Sequence, residues 1–299
     1  MGPLLQAVHW RRDAVGDAGS PWVPEILAGD DNGYFGPGSA VWTVNGSLTA
    51  FPAGIRALLI QALHPGAMAG VADHSRYRED TMSRLNGTIR WVATTTFGDL
   101  AMAKASASVI KHLHETVNGH YTGPDGAVRA YSAQDPHLAR WVHDAFAEAF
   151  LGAHLVWGRR IPGGADAYVA EWARAGELMG VTDPPRTAAQ LRAELDAFIP
   201  ELLSNERVAD AVRFLRRPNL PGVARTVYPI MFAGAVASLP PLYRKMLGLR
   251  RPRWPAITAC RILLAVAAVV RGRTSSSERA AIARSIRLRT RIGPRSSGT

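Results

Sequence analysis

Apolar residues in this chain recur mainly at helical spacing, in blocks separated by glycine, proline and capping residues. "AGIRALLIQAL", from Ala53 to Leu63, predicts a helix that stops at His64-Pro65, because a residue before proline is pushed out of the α region. A second helix is expected from about Arg78 to Thr94. In "DLAMAKASASVIKHLHETV" the residues Ala103, Ala107, Ile110, His114 and Val117 share one helical face, and Gly119 suits the position just past that helix's end. The stretch "GPDGAVRAYSAQDP" predicts a loop. Asp135-Pro136 then supplies an N-cap and first residue for "HLARWVHDAFAEAFLGAHLVW". Further helices fit "ADAYVAEWARAGELMG" and, behind a threonine cap, "TAAQLRAELDAFIPELL". Strand alternation is absent over any useful length. The expected fold is all-α, a single compact multi-helix domain over residues 29–271. Residues 1–28 form an irregular segment before it, and Gly and Pro keep the chain irregular to about Phe51. A basic tail, 272–299, follows, in which Ser275 and Glu278 at capping-box spacing open an amphipathic helix.

Composition narrows the class. With 299 residues, 47% of them hydrophobic and 20% charged, the chain is globular rather than disordered. One cysteine, Cys260 in an apolar run, excludes an internal disulfide framework and a cysteine zinc cluster, and reads as an inert buried thiol. The N-terminal stretch lacks the apolar centre of a secretory signal, so a cytoplasmic, membrane-peripheral location is expected. The run "AITACRILLAVAAVV" is shorter than a spanning helix and contains Arg261, which suits a core helix or one that docks on a surface. Charge is uneven: 16 basic against 20 acidic residues up to position 200, then 19 against 4. An anionic partner fits the second part, and phosphate backbones and an anionic membrane surface both qualify. The competing reading is a general arginine habit, since only three of the 35 basic residues are lysine. No nucleic-acid recognition motif is present.

The pair His112 and His114 invites a metal reading that helical geometry refuses, since residues two apart on a helix point about 200° from each other. "HETVN" also lacks the second histidine of a zinc-protease helix. His112 keeps company with Ser108 and Thr116 on a solvated face. His114 lies on the apolar one, either as a hydrogen-bonded core histidine or as the single ligand of a cofactor that brings its own four donors, which is haem. His143 shares a face with Phe146, Phe150 and His154, and either lines a pocket or sits at a helix seam. His64 caps a helix and faces either pocket or solvent.

The segments "DNGYFGPGSAVWTVNG", "ALHPGAMAGVADHSRY", "RLNGTIRWVATTTFGD", "HETVNG", "YSAQDPHLARWVH", "EWARAGELMGV" and "LPPLYRKMLGL" occur in this order. Over residues 29–250 the chain thereby resembles the family that joins the latex-clearing rubber oxygenases to the MpaB-type oxygenases. The resemblance implies a globin-like helical core, haem b, and dioxygen chemistry at a carbon–carbon double bond. It places the axial iron ligand on His114 and the family's Arg-x-x-x-Thr pair on Arg84 and Thr88, as cofactor-binding and catalytic residues. Helical spacing independently puts Arg84 and Thr88 on one face, where an arginine could pair with a haem propionate. The rubber oxygenases carry a lysine before the threonine and an acidic residue upstream. Here Gly87 and "GAMAG" stand at those places, so polymer cleavage by the same residue set is not implied.

The expected function is therefore a haem b-dependent oxygenase acting on an unsaturated apolar substrate, isoprenoid or lipid-like, with His114 on the iron. The alternatives are a haem-binding protein without turnover, in which both axial positions are filled or the pocket is closed, and a peripheral membrane or interaction protein that uses its basic C-terminal third.

Overall fold

The computed structural model describes residues 20–75 and 81–291. Of these it makes fourteen helices and one two-stranded sheet, 68% helix, in agreement with the all-α expectation. The helices are α1 (Trp22–Ala28), α2 (Ala40–Asn45), α3 (Ala50–Gln61), α4 (Pro65–His74), α5 (Thr81–Phe97) and α6 (Leu100–His114). After the hairpin β1 (Asn118–Thr122) and β2 (Val128–Ser132) come α7 (Pro136–Trp157), α8 (Gly164–Leu178), α9 (Ala188–Phe198) and α10 (Glu206–Arg216). The chain continues through α11 (Gly222–Ser238), α12 (Pro241–Met246), α13 (Ala256–Arg271) and α14 (Ser276–Arg291).

The longest helix, α7, is the centre. It pairs along its length with α3 and also touches α8, α9 and α11. Trp141, Tyr168 and Trp172 are fully buried around it. Each such large apolar side chain contributes about 1.5–3 kcal/mol by leaving water. The start of α7 is set as the sequence predicts: the Asp135 carboxylate accepts the His137 N–H at 2.9 Å and Pro136 occupies the first helical turn. Thr187 and Gln190 close a reciprocal capping box on α9. The chain turns by 106° between α3 and α4, where His64-Pro65 ends one helix and caps the next.

Two expectations are corrected. The predicted loop after His114 is an antiparallel hairpin that pairs Asn118 with Ser132 and Gly119 with Tyr131. Gly119 is thus a strand residue, needed because a Cβ there would come about 3 Å from the Tyr131 ring. The irregular stretch before Phe51 contains α1 and α2, the latter capped by Ser39, whose side chain accepts the Trp42 N–H at 3.1 Å. The helix expected in the basic tail is present over residues 276–291. There α14 lies on α1, with Trp22 Nε1 donating to Ser277 Oγ at 3.1 Å and the fully buried Arg284 donating to the Ile26 carbonyl at 2.8 Å. The Ser275 cap is as expected, accepting the Glu278 N–H at 3.0 Å. Cys260 is buried, and burial pushes its thiol up to about 11, so it stays an unreactive thiol at neutral pH. No single helix among the described residues is long and apolar enough to cross a membrane.

Candidate functional site

Helices α5 and α6 form a hairpin around Phe97-Gly98-Asp99. Asp99 caps α6 by accepting the Met102 N–H at 2.8 Å, and the Thr94 hydroxyl bonds the Ser106 hydroxyl at 3.0 Å across the pair. Trp91 anchors this near end, edge-on to Phe146 at 5.9 Å and Trp172 at 5.8 Å. Beyond Trp91, Ser83 and every residue from Leu85 to Arg90 are exposed, with Arg90 3.9 Å from the Glu25 carboxylate.

Two turns back from Thr94 along α5 comes Gly87, on the same side of the helix; two turns on from Ser106 along α6 come Leu113 and His114. A Cβ at Gly87 would meet nothing within 4 Å, while Val109 is 61% and Leu113 63% exposed. The far end of the hairpin therefore carries exposed apolar side chains on α6 and a position without a side chain, Gly87, on α5.

His114 is half-buried at the last position of α6, next to exposed Leu113. The face predicted for it grades outward: Ala103 and Ala107 are buried, Ile110 and His114 only partly. The two alanines are covered by protein and offer no bare shelf for a flat group; the uncovered surface lies instead at Val109 and Leu113. His112 is 82% exposed and bonds Glu115 at 3.1 Å, the solvated role expected of it. Arg84 and Thr88, four apart, fall on one face of α5, roughly 80–120° round from the line through Thr94 that faces α6. Thr88 is exposed, and the Arg84 side chain lies outside the described part of the structure.

His143 is elsewhere. It is buried in the seam between α7 and α8, its ring against Gly176, where any Cβ would come within 2.8 Å of it. Burial pulls its pKa down to about 4, helped by the nearby Arg140 charge, so the ring is neutral. This is the seam role rather than the pocket role. Its neighbour Asp144 is fully buried with neither carboxylate oxygen hydrogen-bonded, and burial raises its pKa to about 7. His154 is structural as well: Nε2–H donates to the Arg159 carbonyl at 2.9 Å and Nδ1 accepts from the Thr49 hydroxyl at 3.2 Å.

One cluster escaped sequence reasoning. His64, His137 and Glu201 bring three donor atoms within 4.8 Å of one another, a set whose residue types would suit a cation. Nothing in their spacing announces it, since the three come from the start of α4, the start of α7 and the turn after α9. Ring chemistry favours a hydrogen-bonded clasp. His64 Nδ1 accepts the backbone N–H groups of Gly66 at 3.2 Å and Ala67 at 3.4 Å, so the neutral ring carries its proton on Nε2, which faces Glu201 Oε2 at 3.4 Å. To ligate a metal through Nε2, His64 would have to move that proton to Nδ1, against two N–H donors. Burial lowers the His64 pKa, which keeps the ring neutral. His137 Nε2 lies 2.9 and 3.0 Å from the two Glu201 oxygens. Although burial alone would raise it, the Glu201 pKa is lowered by the bonds and charges of His137 and His64.

Residues 42–272 match the family model described as "ER-bound oxygenase mpaB/B'/Rubber oxygenase, catalytic domain". The chain belongs to this oxygenase family. No curated protein and no solved structure matches it. The mpaB/rubber oxygenase span runs from α2 to the end of α13 and takes in the α5–α6 hairpin, the His64 clasp and the α7 core. Membership makes the chain an oxygenase-type oxidoreductase domain, with dioxygen and a substrate as reactants. The clasped pair α1 and α14 lies outside that span.

Proposed function

We propose that the protein is a haem b-dependent oxygenase that oxidises an unsaturated apolar substrate, isoprenoid or lipid-like, at the far end of the α5–α6 hairpin. What supports this reading is the combination found there: a half-buried histidine, exposed Val109 and Leu113 on the same helix, and free space at Gly87 on the other. A flat, largely apolar macrocycle with one open axial position suits that combination of a single nitrogen donor and uncovered hydrocarbon. His114 would hold the iron, and Arg84 would offer a guanidinium to a propionate; haem, when bound, supplies the redox chemistry with dioxygen. The chain's own part is to orient the alkene against Val109 and Leu113 and to keep water from it. Thr88, one turn from Arg84, supplies a hydroxyl on the same face. With Gly87 in place of a lysine, no side chain from that position competes for the cofactor's open face.

The test is an absorption spectrum of the full chain, expressed with a haem precursor, beside His114→Ala and His112→Ala. A Soret band in the parent and in His112→Ala that is lost or moved in His114→Ala is the expected result. A band that carbon monoxide shifts marks an open coordination position and separates an oxygenase from a haem protein whose two axial positions are both filled. The same band in all three proteins would remove His114 from the iron, and no band in any of them would remove the haem.

A further inference from the structure

The second uncovered apolar surface lies on the opposite half of the chain. Helix α13 buries Ala256, Cys260 and Leu264 against α11 and the Leu48 region. A helix covered on one side normally shows water a polar face. On α13 the outer face carries Ile262 at 60% exposure, Val266 at 54%, Val269 at 86% and Val270 at 42%. Gly234 meets Cys260, and Ile230 joins the cluster around Leu264, so α11 runs antiparallel to α13. That brings exposed Val223, near the start of α11, level with Val269 and Val270.

The charges around this face have one sign. Exposed Arg250, Arg251 and Arg253, with half-exposed Trp254, precede α13, and exposed Arg273 follows it. From Ala211 to Ser277 the chain contains no aspartate or glutamate. An apolar stripe with an aromatic residue at one end, arginines at both ends and no carboxylate between them matches a bilayer surface bearing anionic headgroups. At sixteen residues α13 is too short to span the hydrocarbon core, so it would lie in the plane of the interface. A second copy of the chain fits less well, since a symmetric contact through this face would set arginine against arginine.

We propose that the outer face of α13, with Val223 of α11 and the arginines at its two ends, is the surface by which this protein docks on an anionic lipid bilayer. The docking is independent of the cofactor and of the reading of the α5–α6 hairpin. The basic tail is not part of this surface, since its α14 is clasped to α1.

The experiment is co-sedimentation of the full chain with vesicles of phosphatidylcholine, with and without phosphatidylglycerol, at low and high salt. The expected result is binding to the phosphatidylglycerol vesicles that falls about tenfold or more when the anionic lipid is left out or salt is raised. Val266→Asp with Val269→Asp is expected to abolish it, and Arg251→Glu with Arg253→Glu to weaken it about tenfold. These are exposed positions, so circular dichroism and melting should match the parent. Absence of binding to the anionic vesicles overturns the proposal, as does binding that the Val266/Val269 variant retains. Sedimentation velocity covers the remaining case: a dimer that the aspartate substitutions break, with no vesicle binding, would assign this face to a second copy and equally overturn it.

Discussion

His143 and Asp144 are neighbours on α7 whose burial acts in opposite senses on the pH dependence of folding. The Asp144 pKa is raised to about 7, so the folded state holds its proton more tightly than the unfolded chain, and stability drains away as pH rises from about 4 to 7. The His143 pKa is lowered to about 4, so the unfolded chain takes up the proton first, and stability is lost as pH falls from about 6.5 to 4. The two slopes largely cancel in the parent. Asp144→Asn should uncover the histidine's slope: thermal melts would show a variant on the order of 1–3 kcal/mol more stable than the parent at pH 8, with the advantage gone near pH 4. A variant less stable than the parent at pH 8 would mean that the carboxylate has a partner that matters. None of this was legible in the sequence. A histidine next to an aspartate on a helix has no signature until the packing puts both out of water, whereas the solvated fate of His112 followed from its spacing to Ser108 and Thr116.

At the scale of elements, helices bounded by strong local signals were readable. Asp135-Pro136, Thr187 and Ser275 each cap the helix that their side-chain chemistry favours. The hairpin was hidden because its two five-residue strands pair only with each other, and Tyr131 is the one buried side chain they carry. Short α1 and α2 were hidden for a related reason: helices of seven and six residues owe their stability to the surfaces they rest on. The face of His114 was legible from its 4-3-4-3 spacing; the exposure of Val109 and Leu113 beside it was not, because exposure depends on which neighbours pack there. That gives Gly87 a testable position. It sits in an exposed helix with free space where a Cβ would go, so Gly87→Ala should stabilise the apoprotein by about 0.5–1 kcal/mol in denaturant titration. Gly87→Trp should leave the fold intact while reducing haem uptake by filling that space. A destabilised alanine variant would show that the two helices close on each other there.

At the scale of the whole molecule, α14 belongs to the body of the fold. Its buried face is small and polar, with Ser277, Ala280, Ala281, Arg284 and Ser285 turned inward and Ile286 left outside, so the amphipathic pattern in the sequence points the wrong way. Hydrogen bonds explain the reversal: Arg284 to the Ile26 carbonyl, Ser285 Oγ to Asn32 Oδ1 at 2.7 Å, and Arg287 to the carbonyls of Ala28 and Gly29. A chain ending at Thr274 should melt on the order of 5 °C lower, with Trp22 newly exposed to fluorescence quenchers. An unchanged melting temperature would reduce α14 to an ornament. The clasp also sets an order of events during synthesis. Trp22 leaves the ribosome 255 residues before Ser277, which at roughly 5–20 residues per second is a delay on the order of 10–50 s. Through that interval the oxygenase domain can collapse around α3 and α7 while α1 waits for its partner. Among the described helices, the one made last locks the one made first in place.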